Sequence, residues 1–301
     1  MGIGVPALDQ PAVTGGDESY VFENARGRNW RRWLHNPSAL IGSVIVVLVV
    51  ASALISLVWT PYSPLAVDPS HALSGPSLRH LLGTDEYGRD VFSRLMASSQ
   101  VALFVGVLSV LIATAVGIPA GLLAAERRGA TGQVVLRLAD ILYGFPALLA
   151  AVVLAAAFGA SKSTVVLAIG ISYIPVFVRV TRSNALVVLN SEYVLAARAY
   201  GRRPLAIMRR HVIPNIMTTI IAQMSLLFSL AVLAETALDF LGLGTTPPAA
   251  SWGTMLQSSQ NYLGNDPLLT VWPSVAIVLC VLGFSLFGDG ISELRDVRSH
   301  R

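Results

Sequence analysis

The 301-residue chain has one cysteine, one lysine and few charges of either sign. The single thiol, Cys280, lies inside an apolar run, which excludes an intramolecular disulfide framework and a CxxC metal site. Charged residues make up only 13% of the sequence, and mean hydropathy is +0.65. Soluble domains carry ~25% charged residues. The shortage is concentrated in windows of roughly 20 residues, long enough as helices to cross a ~30 Å hydrocarbon core. A soluble enzyme, a disordered chain and a disulfide scaffold are excluded on these grounds. There is no GxxxxGK[ST] phosphate loop, and Lys162 follows Gly159-Ala-Ser. There is also no HExxH, and all five histidines (His35, His71, His80, His211, His300) lie outside the apolar runs. A zinc protease or a Ser–His dyad within a span is therefore unsupported.

What is present reads as an all-α polytopic membrane protein with six spans. Residues 1–36 form a polar, loose N-terminal tail ending in Arg26, Arg28, Arg31 and Arg32. Asn36-Pro37 opens the first apolar run, which covers about 38–58 within a 37–60 segment. It comes too late and runs too long for a cleaved signal peptide. Trp30 and Trp33 flank it on one side and Trp59 and Tyr62 on the other, as interfacial aromatics do. A polar segment follows over 61–97, then a core over 98–290, then a tail over 291–301. Within the core, spans are expected at about 101–125, 134–158, 164–188, 213–238 and 271–287, with surface helices over 190–212. Pro119, Pro146 and Pro175 fall inside spans, where packed neighbours can satisfy the freed carbonyls.

The net charge of +4 follows from topology and needs no nucleic acid. With the N-terminus cytoplasmic, fifteen arginines fall on the cytoplasmic side: the four of the tail, then Arg127, Arg128, Arg182, Arg198, Arg202, Arg203, Arg209, Arg210, Arg295, Arg298 and Arg301. Four basic residues fall outside: Arg79, Arg89, Arg94 and Lys162. This positive-inside bias predicts both termini in the cytoplasm.

The segment joining spans four and five carries the most specific pattern. Glu192 to Tyr200 reads as a short helix, with the acidic residue in its first turn. Gly201 suits the left-handed position that ends a helix, and Pro204 suits the first turn of the next. Arg209 and Arg210 close that second helix at the negative end of its dipole, and Pro214 opens the following span. The residues by themselves allow a helix-turn-helix on the cytoplasmic face or a plain basic surface loop.

Ala196, Ala197, Gly201 and Pro214 resemble the EAA-type cytoplasmic loop of ABC-importer permeases, with Leu195 where the pattern's glutamate stands and His211 where an isoleucine is expected. Arg210-His-Val-Ile-Pro-Asn215 is similar to the peptide-importer branch. So are His80 to Arg94 before span two, Asn36-Pro37 with Pro61-Tyr-Ser-Pro64, Phe240-Leu-Gly-Leu-Gly244 with Ser251-Trp-Gly-Thr-Met255, and Gly288-Asp-Gly290. Ile291 to Arg295 departs from the usual tail. The likeness covers about 34–298 and points to dipeptide/oligopeptide permeases of the C type.

The resemblance implies the type I ABC-importer permease architecture in the cytoplasmic (inner) membrane. It also implies a homologous second permease, two cytosolic ATPase subunits that bind ATP and Mg, and an external substrate-binding protein. The chain itself is then non-catalytic and holds no cofactor. Its ATPase-coupling residues are Glu192, Ala196, Ala197, Arg198, Gly201, Arg202, Pro204, Arg209 and Pro214. Peptide is the family-level substrate, with nickel chelates or another small solute as the alternative. A self-contained secondary transporter would show internal repeats and mid-membrane charges, and neither is evident.

Several residues stay open between structural and pathway roles. Arg137 and Asp140, three apart, can pair on one helix face. Glu235 and Asp239, four apart, share a face at the outer end of span five and can meet a substrate, the second permease or the binding protein. Asp85, Glu86 and Asp90 lack metal-site spacing and read as a surface turn leading into an interfacial helix. Gly106, Gly117 and Gly121 read as packing contacts.

Overall fold

A computed structural model describes residues 36–127 and 129–296, with side chains through 293. The N-terminal tail with its arginines and tryptophans, Arg128, and the last residues of the C-terminal tail lie outside the described residues.

Among the described residues the fold is helical. Helix α1 (Pro37–Ser56) leads into a long connection containing a short 3-10 turn, Pro69–His71. The long helix α2 (Val91–Glu126) follows, then α3 (Ala130–Tyr143), α4 (Ala147–Phe158) and α5 (Lys162–Leu189). After the short helices α6 (Glu192–Ala199) and α7 (Pro204–Ile207), a π-helical turn, Met208–Val212, continues into α8 (Ile213–Phe240). The chain closes with α9 (Trp252–Ser259) and α10 (Leu268–Asp296). Five helices are long and apolar enough to span a membrane, or six if the bent pair α3–α4 counts as one.

Local chemistry sets these boundaries. Asn36 caps α1, its Oδ1 accepting from the N–H groups of Ser38 and Ala39 at 3.0 and 3.3 Å, with Pro37 at the first position. Its amide also donates to Glu293, tying the start of α1 to the end of α10. Asp90 caps α2 by accepting from Ser93 N at 2.8 Å. Helix α2 therefore starts ten residues before the expected span, and the 97/98 boundary between polar segment and core cuts through it. Asp85, Asp90 and Arg94 at its base are buried, so the expected surface turn and interfacial helix are instead a packed polar knot continuous with a spanning helix.

Three other expectations are corrected. The third span is two helices bent by 77°, because Pro146 disfavours helical geometry at Phe145 and Gly144 has already ended α3. Pro214 does not open a separate helix, since Pro204–Phe240 is one continuous helical stretch. The π turn just before Pro214 lets the helix absorb a residue that cannot donate and would crowd the preceding carbonyl. Arg209 and Arg210 accordingly lie in the π turn inside that stretch, which continues beyond them.

Glycines set the close packing. A Cβ at Gly117 would stand 2.5 Å from the Cβ of Phe177 on α5, and one at Gly121 would stand 2.7 Å from Thr181. On α2, Gly106 faces the ring of Phe228 on α8. A main core gathers Phe177, Ile216, Phe228 and Val232 from α5 and α8 together with Trp252 of α9, whose Nε1 donates to Leu95 O at 3.2 Å.

Candidate functional site

The α6–α7 hairpin has a buried root and a bare tip. Val194, Ile207, Met208 and Val212 are buried and belong to the main core. Tyr200 and Leu205, large apolar residues on either side of the turn, are 88% and 80% exposed. Gly201 adopts φ +73°, the left-handed conformation that residues with a Cβ resist. Its N–H donates to Arg198 O at 2.9 Å, and Arg202 N donates to Ala197 O at 3.2 Å. This pair of bonds is a Schellman closure, which satisfies the last carbonyls of α6. Pro204 sits at the first turn of α7.

The coupling candidates occupy distinct places on this hairpin. Glu192 is in the first turn of α6, and Ala196, Arg202, Pro204 and Arg209 are exposed. Ala197 is half-buried beneath the turn, and Arg198 pairs with Glu126 at the end of α2 at 3.2 Å. Pro214 lies behind the hairpin, in the second position of α8. Glu126, Tyr200 and Leu205 carry no motif signal in the sequence. The core anchors are foreshadowed only by apolar periodicity, and the hairpin's bare tip becomes visible only from burial.

At the bend in span three, the expected partnership changes. Asp140 pairs with Arg179 of α5 at 2.7 Å and not with Arg137 on its own helix. The Arg179 guanidinium also lies 4.3 Å over the ring of Tyr143. Helix α3 packs beside α5, so Asp140 reaches Arg179, while Arg137 is exposed. Both members of the observed pair are substantially exposed.

Glu235 and Asp239 are each 1% exposed, inside the chain's own packing near the other end of α8. Asp239 Oδ1 accepts from Thr245 N at 2.7 Å, so the loop after α8 folds over it, and a Cβ at Gly244 would collide with that carboxylate. Glu235 Oε1, Asp239 Oδ2 and Thr245 Oγ1 have no partner among the described residues. In this structure neither acid reaches the chain's surface.

At the same end, Asp85 accepts from Tyr87 N, Arg89 N and Arg89 Nε at 2.9, 3.0 and 2.7 Å, and lies 3.4 Å from Arg94 Nε. Asp90 pairs with His80 at 3.0 Å. These acids are thus used in pairing and capping, and no group of three or more metal-ligating side chains occurs among the described residues. Asp68 caps the 3-10 turn, and hydrogen bonds from Ser70 and His71 hold its carboxyl below the usual value.

Comparisons with known proteins place this architecture. Residues 117–299 match the binding-protein-dependent transport system inner membrane component family, and residues 26–76 match the N-terminal transmembrane domain of oligopeptide transport permease C. A di/tripeptide transport system permease protein of Pseudomonas aeruginosa is 38% identical over 93% of this chain and 94% of its own length. A glutathione transport system permease protein of Pectobacterium atrosepticum is 35% identical over 89% of each chain. An inward-facing structure of the MetNI methionine ABC transporter superposes with a TM-score of 0.57 at 18% identity, covering 67% of this chain and 95% of that one, a likeness of fold. The chain belongs to the inner membrane component family of binding-protein-dependent transport systems, as an ABC-transporter permease with a C-type N-terminal helix.

Proposed function

We propose that this chain is the non-catalytic permease half of an ATP-driven peptide importer, and that its α6–α7 hairpin is the handle gripped by a cytosolic ATPase. The observation that carries this is the hairpin's construction. Its root is locked into the core shared by α5 and α8, and its apolar tip is left bare. A push on Tyr200 or Leu205 is therefore transmitted to the spanning helices, because a close-packed core moves as a unit. The partner set is a homologous second permease, two ATPase subunits that bind ATP and Mg, and an external substrate-binding protein. The chain binds no cofactor of its own.

Orientation in the inner membrane follows from charge. The hairpin end of the bundle carries Arg127, Arg182, Arg198, Arg202, Arg203, Arg209 and Arg210, which makes it the cytoplasmic end and puts both termini in the cytoplasm. At the other end, Arg89 and Arg94 are paired with Asp85 and add little to the bias. Peptide as substrate rests on the relatives named for di/tripeptide and glutathione transport, glutathione being itself a tripeptide.

Purification of the native complex in mild detergent, followed by reconstitution with a di- or tripeptide inside or outside proteoliposomes, tests this reading. It requires co-purifying ATPase subunits and uptake that depends on both ATP and the binding protein. Uptake by the chain alone, driven by an ion gradient, overturns it.

A further inference from the structure

At the end of the bundle opposite the hairpin, a groove of about 450 Å3 runs between α1, α2 and the start of α5. Its size lies within the ~300–1,000 Å3 of ordinary ligand pockets. Ala53, Leu54 and Leu57 form one wall, and Val101, Leu103 and Phe104 the other. The two polar residues at its edge differ in how they are used. Gln100 donates to Ser56 Oγ at 2.8 Å and so bridges α2 to α1. Lys162, the chain's only lysine, has no carboxylate within ion-pair distance among the described residues.

Depth follows from the packing. Ser109 of α2 bonds to Val166 O of α5, which sets Lys162 near the level of Phe104, about one helical turn below Gln100 and the last turn of α1. A lysine one turn inside the apolar zone extends its stem along apolar surface and delivers its ammonium to the interface. Trp59 and Tyr62, just beyond α1, mark that interface.

We propose that this groove seats an acyl chain of an anionic phospholipid, with the headgroup phosphate on the Lys162 ammonium. Apolar walls open to the bilayer select a hydrocarbon chain, and a cation at headgroup depth that forms no ion pair with the acid whose field it feels, the buried Glu235, is left for an anionic head. The inference requires only that α1 and α2 cross the bilayer, not that the chain carries peptides.

The single lysine makes the test direct. The full chain and the native complex are placed in nanodiscs of phosphatidylcholine alone or phosphatidylcholine mixed with phosphatidylglycerol. Modification of Lys162 by a water-soluble amine reagent is followed by peptide mapping, which separates it from the N-terminal amine. We expect modification several-fold slower with phosphatidylglycerol and unchanged by soluble glycerol phosphate, which has the head without the chains. Native mass spectrometry should show phosphatidylglycerol retained by the wild type and by Lys162→Arg, and lost from Lys162→Gln and from the groove-filling Leu54→Trp. Equal modification rates in the two discs overturn the proposal, as does full protection by glycerol phosphate alone. Lipid retention unchanged in Leu54→Trp also overturns it. A native complex without lipid, in which Lys162 is shielded in either disc, shows instead that the second permease covers the groove, and that outcome refutes it as well.

Discussion

Substituting Gly201 separates backbone geometry from bulk at the proposed coupling site. A Cβ placed on Gly201 meets no atom within 4 Å, so the first side-chain atom finds open space in the isolated chain. The only intrinsic cost is φ +73°, which is roughly 1–2 kcal/mol for an ordinary residue with a Cβ. At ~1.4 kcal/mol per tenfold, that lowers the closed-to-open equilibrium constant of the turn about tenfold without threatening membrane insertion. The root of the hairpin, held by Val194, Ile207 and Met208, is untouched. Asparagine tolerates the left-handed region better than other residues with a Cβ. We therefore expect Gly201→Asn to keep most ATP-driven uptake, Gly201→Ala to lose part of it, and Gly201→Trp to abolish it while the chain still inserts at wild-type levels. Proteoliposome uptake and co-purification of the ATPase subunits measure the two effects. Normal uptake by Gly201→Trp would refute the reasoning, since the proposed docking of this turn against an ATPase leaves no place for an indole.

Three further outcomes follow from the geometry. Arg179→Gln should lower thermal stability in detergent by ~1 kcal/mol or less, because its ion pair with Asp140 is largely exposed, and Arg137→Gln should change nothing; equal effects of the two would contradict the observed pairing. Asp239→Ala should cost about 1–3 kcal/mol by leaving the buried Thr245 N–H without its acceptor, whereas Glu235→Gln, which keeps the buried side chain's shape and leaves that bond in place, should be near neutral; a comparable loss of melting temperature in both would overturn this. For pH, the Asp68 carboxyl is held below its ordinary value of 3.8 first by the Ser70 hydroxyl and then by His71. Its support of the Pro69–His71 turn is therefore complete above 3.8 and lost only as pH falls through the depressed value. The hydrogen-exchange protection factor of Ser70 N–H, measured against the intrinsic rate at each pH, should fall only in that acid window, and a fall near neutrality would rule the capping role out.

Helix-forming and helix-ending signals were legible wherever the chemistry is local. Asn36-Pro37 marks the start of α1, and Gly201 followed by Pro204 marks the hairpin, because a cap, a left-handed turn and a first-turn proline act on their own few residues. Signals that depend on neighbours were misread. Pro119 and Pro175 stay inside helices while Pro146, following Gly144, breaks one. The polar run up to Ala97 hid the first turns of α2, since Ser93 and Arg94 read as exposed until Asp90, Asp85 and the carbonyl of Pro64 are seen to surround them.

Composition and charge distribution were enough to establish a polytopic, membrane-spanning helical protein, because the hydrocarbon core acts on every span separately through its length and polarity. Gly201 and Pro204 were enough to suggest a helix-turn-helix, for the same local reason, and its proposed coupling role came from the family resemblance. Which charge pairs with which, however, depends on long-range packing. Asp140 meets Arg179, 39 residues away, because the helix that carries it packs beside α5, and Asp239 is covered by the loop carrying Gly244 and Thr245. Helical periodicity places residues on a face, but the neighbour that face meets is set by how the helices pack.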